Sequence, residues 1–167
     1  DREEICSDGN TGLASDMLKN YLMMLCKMDI NMYLECVENS ICLSADVKAA
    51  FDPTWAHAYE RNNCAYLNHG ICISRYTGGG GKAGTSEAMA EFTRRIVNTL
   101  NKNKIAWQTS SNKVDQGGGG TVARFIANLG IEVIDIGVPI LSMHSPYEIV
   151  SKLDAYMMLK AISAFLM

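Results

Sequence analysis

The segment from Ile131 to Val138 is nearly all apolar and rich in β-branched residues. A strand with one wet face would alternate apolar and polar side chains, and this one does not. It is therefore expected to be an inner strand covered on both faces, which requires helices above and below a sheet. The rest of the chain supplies them. Met17, Leu18, Tyr21, Leu22 and Leu25 recur at helical spacing and predict a helix from Leu13 to about Glu35. Its methionines read as core filler. Ser40 to Ala45 predicts a short buried strand around Ile41-Cys42-Leu43, with Asp46 just past its end. A second short strand is expected at Gly70 to Ser74. Gly78 to Gly81 form a turn, and Thr85 or Ser86 can cap a helix that runs to about Asn101. Met89, Phe92, Ile96 and Leu100 mark the buried stripe of that helix. Ile105 to Gln108 is a further strand, and Gly117 to Gly120 lead into a short helix from Thr121 to Leu129, stopped by Gly130. Pro139 and Pro146 bracket a loop carrying His144, and an amphipathic helix from about Tyr147 closes the chain.

Size and charge narrow the function. At 167 residues the chain has the length of one domain with one sizeable core. Its 48% hydrophobic and 20% charged residues are ordinary globular composition. A net charge of -3 and the lack of any Lys/Arg cluster leave nucleic acid no electrostatic foothold. Charges interrupt every apolar stretch before it reaches the length of a spanning helix, so no membrane role is expected. The acidic start does not resemble a signal peptide. Cysteines stand at 6, 26, 36, 42, 64 and 72 with no C-x-x-C pair, and several lie among apolar neighbours. That pattern fits a reduced, cytoplasmic protein better than a zinc knuckle or a thioredoxin-type motif.

Three places could carry chemistry: Asp1-Arg2-Glu3-Glu4, Asp46 in Ser44-Ala45-Asp46, and His144 in Ser142-Met143-His144-Ser145. Asp46 and His144 are each expected beyond the carboxyl end of a strand, the edge where ligands of open α/β sheets collect. Carboxylates and an imidazole suit zinc, manganese or cobalt. Spacing alone leaves the alternative open that His144 is a hydrogen-bonded loop histidine and the acidic residues a solvated turn. A ligand or base needs a rigid support, so the acidic cluster at residues 1 to 4 calls for structure upstream of it. The glycine runs are not phosphate loops. Tyr76 stands where the first glycine of a P-loop is required and Ala83 where its Ser or Thr belongs, while Gly117 to Gly120 have no lysine after them. His57 and His69 fall in polar connections and are expected on the surface. No nucleophile elbow or Cys–His motif occurs.

The segments DREEICSDGNTG, SADVKAAFDPTW, KVDQGGGGTVA and DIGVPILSMHS, in that order, resemble the aspartyl aminopeptidase and vacuolar aminopeptidase I family of metallopeptidases, and most of all its bacterial aminopeptidase 1 members. The resemblance runs over essentially the whole chain. It implies a three-layer α/β/α catalytic domain with a mostly parallel sheet, of which residues 1–167 would be the carboxyl-terminal portion. The family's inserted oligomerisation domain would lie outside these residues. It also implies two divalent metals, usually zinc, peptide substrates and assembly into tetrahedral dodecamers. Carried over by motif, Glu3 matches the general base, Glu4 and His144 ligands of one metal, and Asp46 a ligand of the other. A further histidine and a bridging aspartate belong to motifs that precede this stretch. Aspartyl-specific members carry a histidine three places after the metal-binding aspartate, where this chain has Ala49, so neutral amino-terminal residues such as leucine become candidates beside acidic ones. Cys6 stands where relatives usually show glycine. A related two-metal carboxypeptidase or deacylase, or a non-catalytic fragment of the parent enzyme, are the competing readings.

Overall fold

The computed structural model describes residues 4–80, 83, 84 and 86–167. Helices α1 (Met17–Leu25) and α2 (Ile30–Glu38) lead into strand β1 (Ile41–Ala49). Two short 3-10 turns, Pro53–Ala58 and Arg61–Asn63, connect it to β2 (Ile71–Ser74). Helix α3 (Ala90–Lys102), strand β3 (Trp107–Thr109), helix α4 (Ala123–Ala127), strands β4 (Glu132–Leu141) and β5 (Ile149–Val150), and helix α5 (Lys152–Leu166) complete the order.

The sheet runs β1-β4-β2-β3, with β5 paired to β4. β4 lies parallel to β1 along Ile41↔Glu132 to Ala49↔Ile140, and β2 lies parallel to β3. β4 meets β2 and β5 antiparallel. The sheet is thus mixed, and helices flank it. β4 is buried from Val133 to Ile140, as its apolar run requires.

Register sorts the side chains, because directly paired residues share a face. One face carries Leu43, Ile134, Ile136, Val138, Ile71 and Ile73. It packs against Phe92, Ile96 and Leu100 of α3 and Met158 and Ala161 of α5, forming the main core. The other face starts apolar, with Cys42 and Val133 beneath Ala123 and Ile126 of α4 and Leu13 and Leu18 near α1. It then turns polar: Ser44 pairs with Asp135 and Ser74 with Asp135, while Asp46 and Cys72 both pair with Gly137. Helix layers on the two sides of the sheet make the architecture α/β/α.

Several local expectations are corrected. The single helix expected from Leu13 to Glu35 is two helices. Lys27 and Met28 take left-handed backbone, and the Asp29 carboxylate then caps α2 by accepting from Asn31 N at 2.8 Å and Met32 N at 3.0 Å. β1 does not stop before Asp46 but continues to Ala49, because β4 offers a matching edge that far. α3 starts later than expected, since Ala88 is held to Arg75 by the bond from its N–H to Arg75 O at 2.8 Å. Met89 is consequently exposed and not part of the buried stripe. The possible cap Thr85 lies outside the described residues. α4 is shorter than expected at both ends, Ala123–Ala127; Thr121 stands before it, its hydroxyl donating to Asp135 at 2.7 Å and accepting from Ala123 N at 3.3 Å. Pro139 belongs to β4 and not to a loop: β2 pairs β4 as far as Gly137 and β5 joins at Ile140, so a residue without an N–H fits the gap on that edge. The last helix starts at Lys152, not Tyr147, since Ile149 and Val150 pair with β4 and Ser151 caps the helix through Leu153 N.

α5 is tied to the sheet end by Asp154. Its buried carboxylate accepts from Asn68 N at 2.7 Å and Gly70 N at 2.8 Å. Gly70 has φ +86°, and a Cβ there would meet Ala106 O at 2.1 Å, so the approach of the β2 entry to β3 requires glycine.

Candidate active site

The chain before α1 folds back on itself. Cys6 and Ser7 both have positive φ, Ser7 is buried, and Ala14 N donates to Ser7 O at 3.1 Å. A Cβ on Gly12 would sit 1.8 Å from Ser7 O, so the loop closes only around a glycine. This compact turn presents Glu4. At the far end of the chain, β4 and β5 are joined by a turn in which Ser142 and His144 adopt left-handed backbone. Ser145 N donates to Ser142 O at 3.0 Å, and His144 N donates to the Glu148 carboxylate at 2.6 Å. Non-glycine residues held at positive φ cost free energy, and such conformations cluster at functional sites.

The two turns meet. His144 Nε2 lies 3.7 Å from Glu4 Oε1, with the two side chains 70% and 65% exposed. An open carboxylate–imidazole pair is suited to share a borderline cation, since both heads are free to rotate onto it. Among the described residues, no group of three or more His, Cys, Asp or Glu side chains gathers closely enough to hold a metal. Two donors therefore fit part of a zinc site, which takes three or four protein ligands. Glu3 lies outside the described residues.

Asp46 projects from the polar face of β1 and is exposed. Its carboxylate accepts from Val47 N at 2.8 Å. Its cross-strand neighbour is Gly137, so no side chain stands opposite it. The expectation that Asp46 lies beyond a strand end is replaced by a position within the strand.

Around Asp46 lies a buried polar cluster that sequence reasoning missed. Asp135, paired with Ser44, accepts from the Thr121 hydroxyl at 2.7 Å. Burial raises its carboxyl above the usual range, against the lowering effects of Thr121, Ser44 and Lys48, and the Asp46 charge raises it further. Lys48, two residues past Asp46 on the same face, is buried and donates from Nζ to Asn112 Oδ1 at 2.8 Å. Burial lowers its ammonium, while Cys72 and Asp135 favour the charged form. Cys72 is pushed up to about 11 by burial, despite Lys48 and hydrogen bonds with Ser74 and Ser110. The signals were present in the sequence: Asp135 is a charge inside an apolar inner strand, and Lys48 stands at i+2 from Asp46 and so shares its face.

The glycine runs border this cluster. Gly80 N donates to Gly117 O at 2.9 Å and Asp115 N to Gly80 O at 3.2 Å, so the two loops are joined. A small cleft of about 100 Å³ separates Cys6 and Ser7 from Gly120, Thr121, Val122 and Phe125. The turn carrying Glu4 and the second glycine run therefore face each other. A larger concavity of about 410 Å³ runs along α3 between Glu91, Arg94, Arg95, Asn98, Thr99 and Lys102. It is an open, charged face of α3, which packs on the sheet face opposite Asp46. His57 and His69 are on the surface, as expected.

Comparison with known proteins carries this geometry to a family. The pattern of the family described as aminopeptidase I zinc metalloprotease (M18) matches residues 1–166. A probable M18 family aminopeptidase 1 of Clostridium acetobutylicum is 44% identical over 171 residues, covering 99% of this chain and 37% of the relative. The namesake from Borreliella burgdorferi is 45% identical over 172 residues, covering 99% of this chain and 38% of its own length. The chain thus spans little more than a third of the curated relatives it matches. The crystal structure of an M18 aminopeptidase from Thermotoga maritima superposes with a TM-score of 0.90 at 41% identity, over 99% of this chain and 38% of that one. That of aminopeptidase I from Clostridium acetobutylicum gives 0.89 at 42% identity, over 100% and 37%. A match along nearly every residue, with the same α/β/α layers, makes this chain a member of the M18 family, the aminopeptidase I zinc metalloproteases.

Proposed function

We propose that these residues form the carboxyl-terminal portion of the catalytic domain of a metalloaminopeptidase, which removes amino-terminal residues from peptides. The observation that carries the reading is the meeting of Glu4 and His144, 3.7 Å apart, in a chain of this family. Glu4 and His144 hold one divalent metal, and Asp46 holds a second. Zinc fits this donor set best, with manganese or cobalt as substitutes. A further histidine and a bridging aspartate come from parts of the protein outside residues 1–167, as does the inserted oligomerisation domain. When bound, the metals supply Lewis acidity and lower the pKa of water at the site.

Glu3 is the general base. It takes the proton of the attacking water and hands it to the departing amine. The free α-amine distinguishes an aminopeptidase substrate from a blocked one, and a carboxylate of the site can hold it. Ala49 stands where aspartyl-specific relatives carry a histidine, which favours neutral residues such as leucine alongside acidic ones. The complete enzyme works in the cytoplasm as a homo-oligomer, a dodecamer by family resemblance.

The decisive test is Glu3→Gln in the complete protein. Metal content should be kept while turnover of an aminoacyl p-nitroanilide falls about 10²–10⁴-fold. Unchanged turnover at full metal occupancy removes Glu3 as the base. Substrates with free and acetylated amino termini, offered to the unsubstituted protein, separate an aminopeptidase from a carboxypeptidase or deacylase.

A further inference from the structure

Lys48 has an unusual position for a lysine. It is 8% exposed and sits on the polar sheet face two residues from Asp46. Lysines are almost never fully buried unless paired, because desolvating an ammonium is costly. Its Nζ donates to Asn112 Oδ1 at 2.8 Å, and the same amide donates from Nδ2 to Gly78 O at 3.3 Å. Asn112 is thus a two-sided clip, with β1 on one side and the first glycine run on the other.

The clip reaches the second run as well. A Cβ on Gly118 would lie 2.5 Å from Asn112 Nδ2 and 2.6 Å from Gly78 O. Gly117 O accepts from Gly80 N, and Gly80 O from Asp115 N. Glycine loops lose more conformational entropy on ordering than any other segment, so an unanchored pair of them would not hold one shape. The second run leads directly into Gly120 and Thr121, which line the cleft facing Cys6 and Ser7 in the turn that presents Glu4. The Lys48–Asn112 link therefore holds the first run at Gly78, and the second run is joined to the first through Gly80, Gly117 and Asp115.

We propose that Lys48 is a positioning residue for the peptidase reaction: through Asn112 it fixes residues 78–80 and 117–120 as the wall of the substrate cleft beside Asp46. The inference rests on the aminopeptidase reading above. Lys48 touches neither the substrate nor the reacting atoms; it sets where the wall stands. A wall that shapes the ground-state complex governs KM more than kcat.

The test uses Lys48→Met and Asn112→Ala, singly and together, in the complete protein. Each single change should raise KM for a peptide substrate at least tenfold, lower kcat less than threefold, and leave metal content unchanged. The double variant should be no worse than the poorer single, because both changes break one connection. Hydrogen exchange should show faster exchange of the Gly80 and Asp115 amides and unchanged protection along β4. Asn112→Ala keeps the lysine in place and answers the question if Lys48→Met does not fold. Wild-type turnover with KM within twofold in the folded variants overturns the proposal alone, as does a fall in stability without a change in KM or loop exchange. Absence of aminopeptidase turnover in the unsubstituted protein overturns the functional reading and this proposal with it.

Discussion

The imidazole of His144 and the carboxylate of Glu4 stand 3.7 Å apart although they come from opposite ends of the chain. Neither is held by regular structure. Glu4 is presented by a turn closed around Gly12, and His144 by the left-handed turn between β4 and β5. Solvent-exposed carboxylate–imidazole contacts of this kind contribute little to stability, since water competes for both groups and two side chains must be ordered. Stability is therefore a poor account of two turns that each spend conformational free energy to bring these groups together.

Loss of either partner should accordingly be felt in metal binding and not in folding. Glu4→Gln and His144→Ala, each in the complete protein, are expected to lower metal affinity by at least about 10–100-fold, with activity falling in parallel. The thermal midpoint without metal should move by less than about 2 °C, in line with the small worth of an exposed pair. Metal per protomer after dialysis against a graded chelator reads the effect. Wild-type retention of metal in both variants would remove this pair from the site.

Cys72 offers a prediction independent of the metal. Its thiol, buried at the centre of the sheet, is raised from 9.0 to about 11. The folded state therefore favours the protonated thiol over a range where the unfolded chain ionises. That contribution is complete below pH 9 and is lost as pH rises toward 11. The size is on the order of 2–3 kcal/mol. Denaturant melts of the complete protein at pH 8.5 and pH 11 (approximately, bracketing the window) should show a fall that is smaller by this amount in Cys72→Ala. Iodoacetamide near neutral pH should modify the exposed Cys6 and spare Cys72 in the native state. Equal labelling of the two thiols would contradict the burial argument.

The layered fold was legible where burial dominates. The run of apolar, β-branched residues in β4, interrupted inside the strand by Asp135 alone, reads as an inner strand, and the Phe92, Ile96 and Leu100 stripe could only face a core. Reading failed where a polar side chain chose a local partner. Asp29 took the amides of α2 and split a helix that periodicity alone would continue, and Thr121 stands before α4 with its hydroxyl on Asp135. Pro139 misled for another reason: whether a strand tolerates proline depends on what pairs with each edge, which is a property of the sheet and not of the segment. For the candidate site, residue types and motif order named Glu3, Glu4, Asp46 and His144, of which the structure brings Glu4 and His144 together and sets Asp46 within β1. The polar set of Lys48, Asn112, Thr121 and Asp135 depends on contacts between distant segments, so only the Asp135 charge in the interior of β4 and the i+2 spacing of Lys48 from Asp46 hinted at it.

The isolated chain 1–167 should fold its sheet yet fail as an enzyme. The reason lies in two surfaces. Tyr21, Met24, Leu25, Met28, Ile30 and Leu34 are exposed on and between α1 and α2, with Met24 69% accessible. Tyr147, Leu153, Tyr156, Leu159 and Leu166 are exposed on and before α5, with Tyr147 77% accessible. Exposed large apolar side chains in such number on one helix pair and one closing helix mark surfaces that other protein covers. The site has the same character, since the described residues bring two donors together where zinc takes three or four protein ligands. A recombinant 1–167 polypeptide is expected to enhance the fluorescence of a hydrophobic dye, to self-associate with rising concentration, and to turn over no peptide substrate with added zinc. Sedimentation and a zinc-supplemented p-nitroanilide assay measure these. Robust zinc-dependent turnover by a monomeric 1–167 chain would mean that these residues carry a complete site, and the assignment of missing ligands to other parts of the protein would fall.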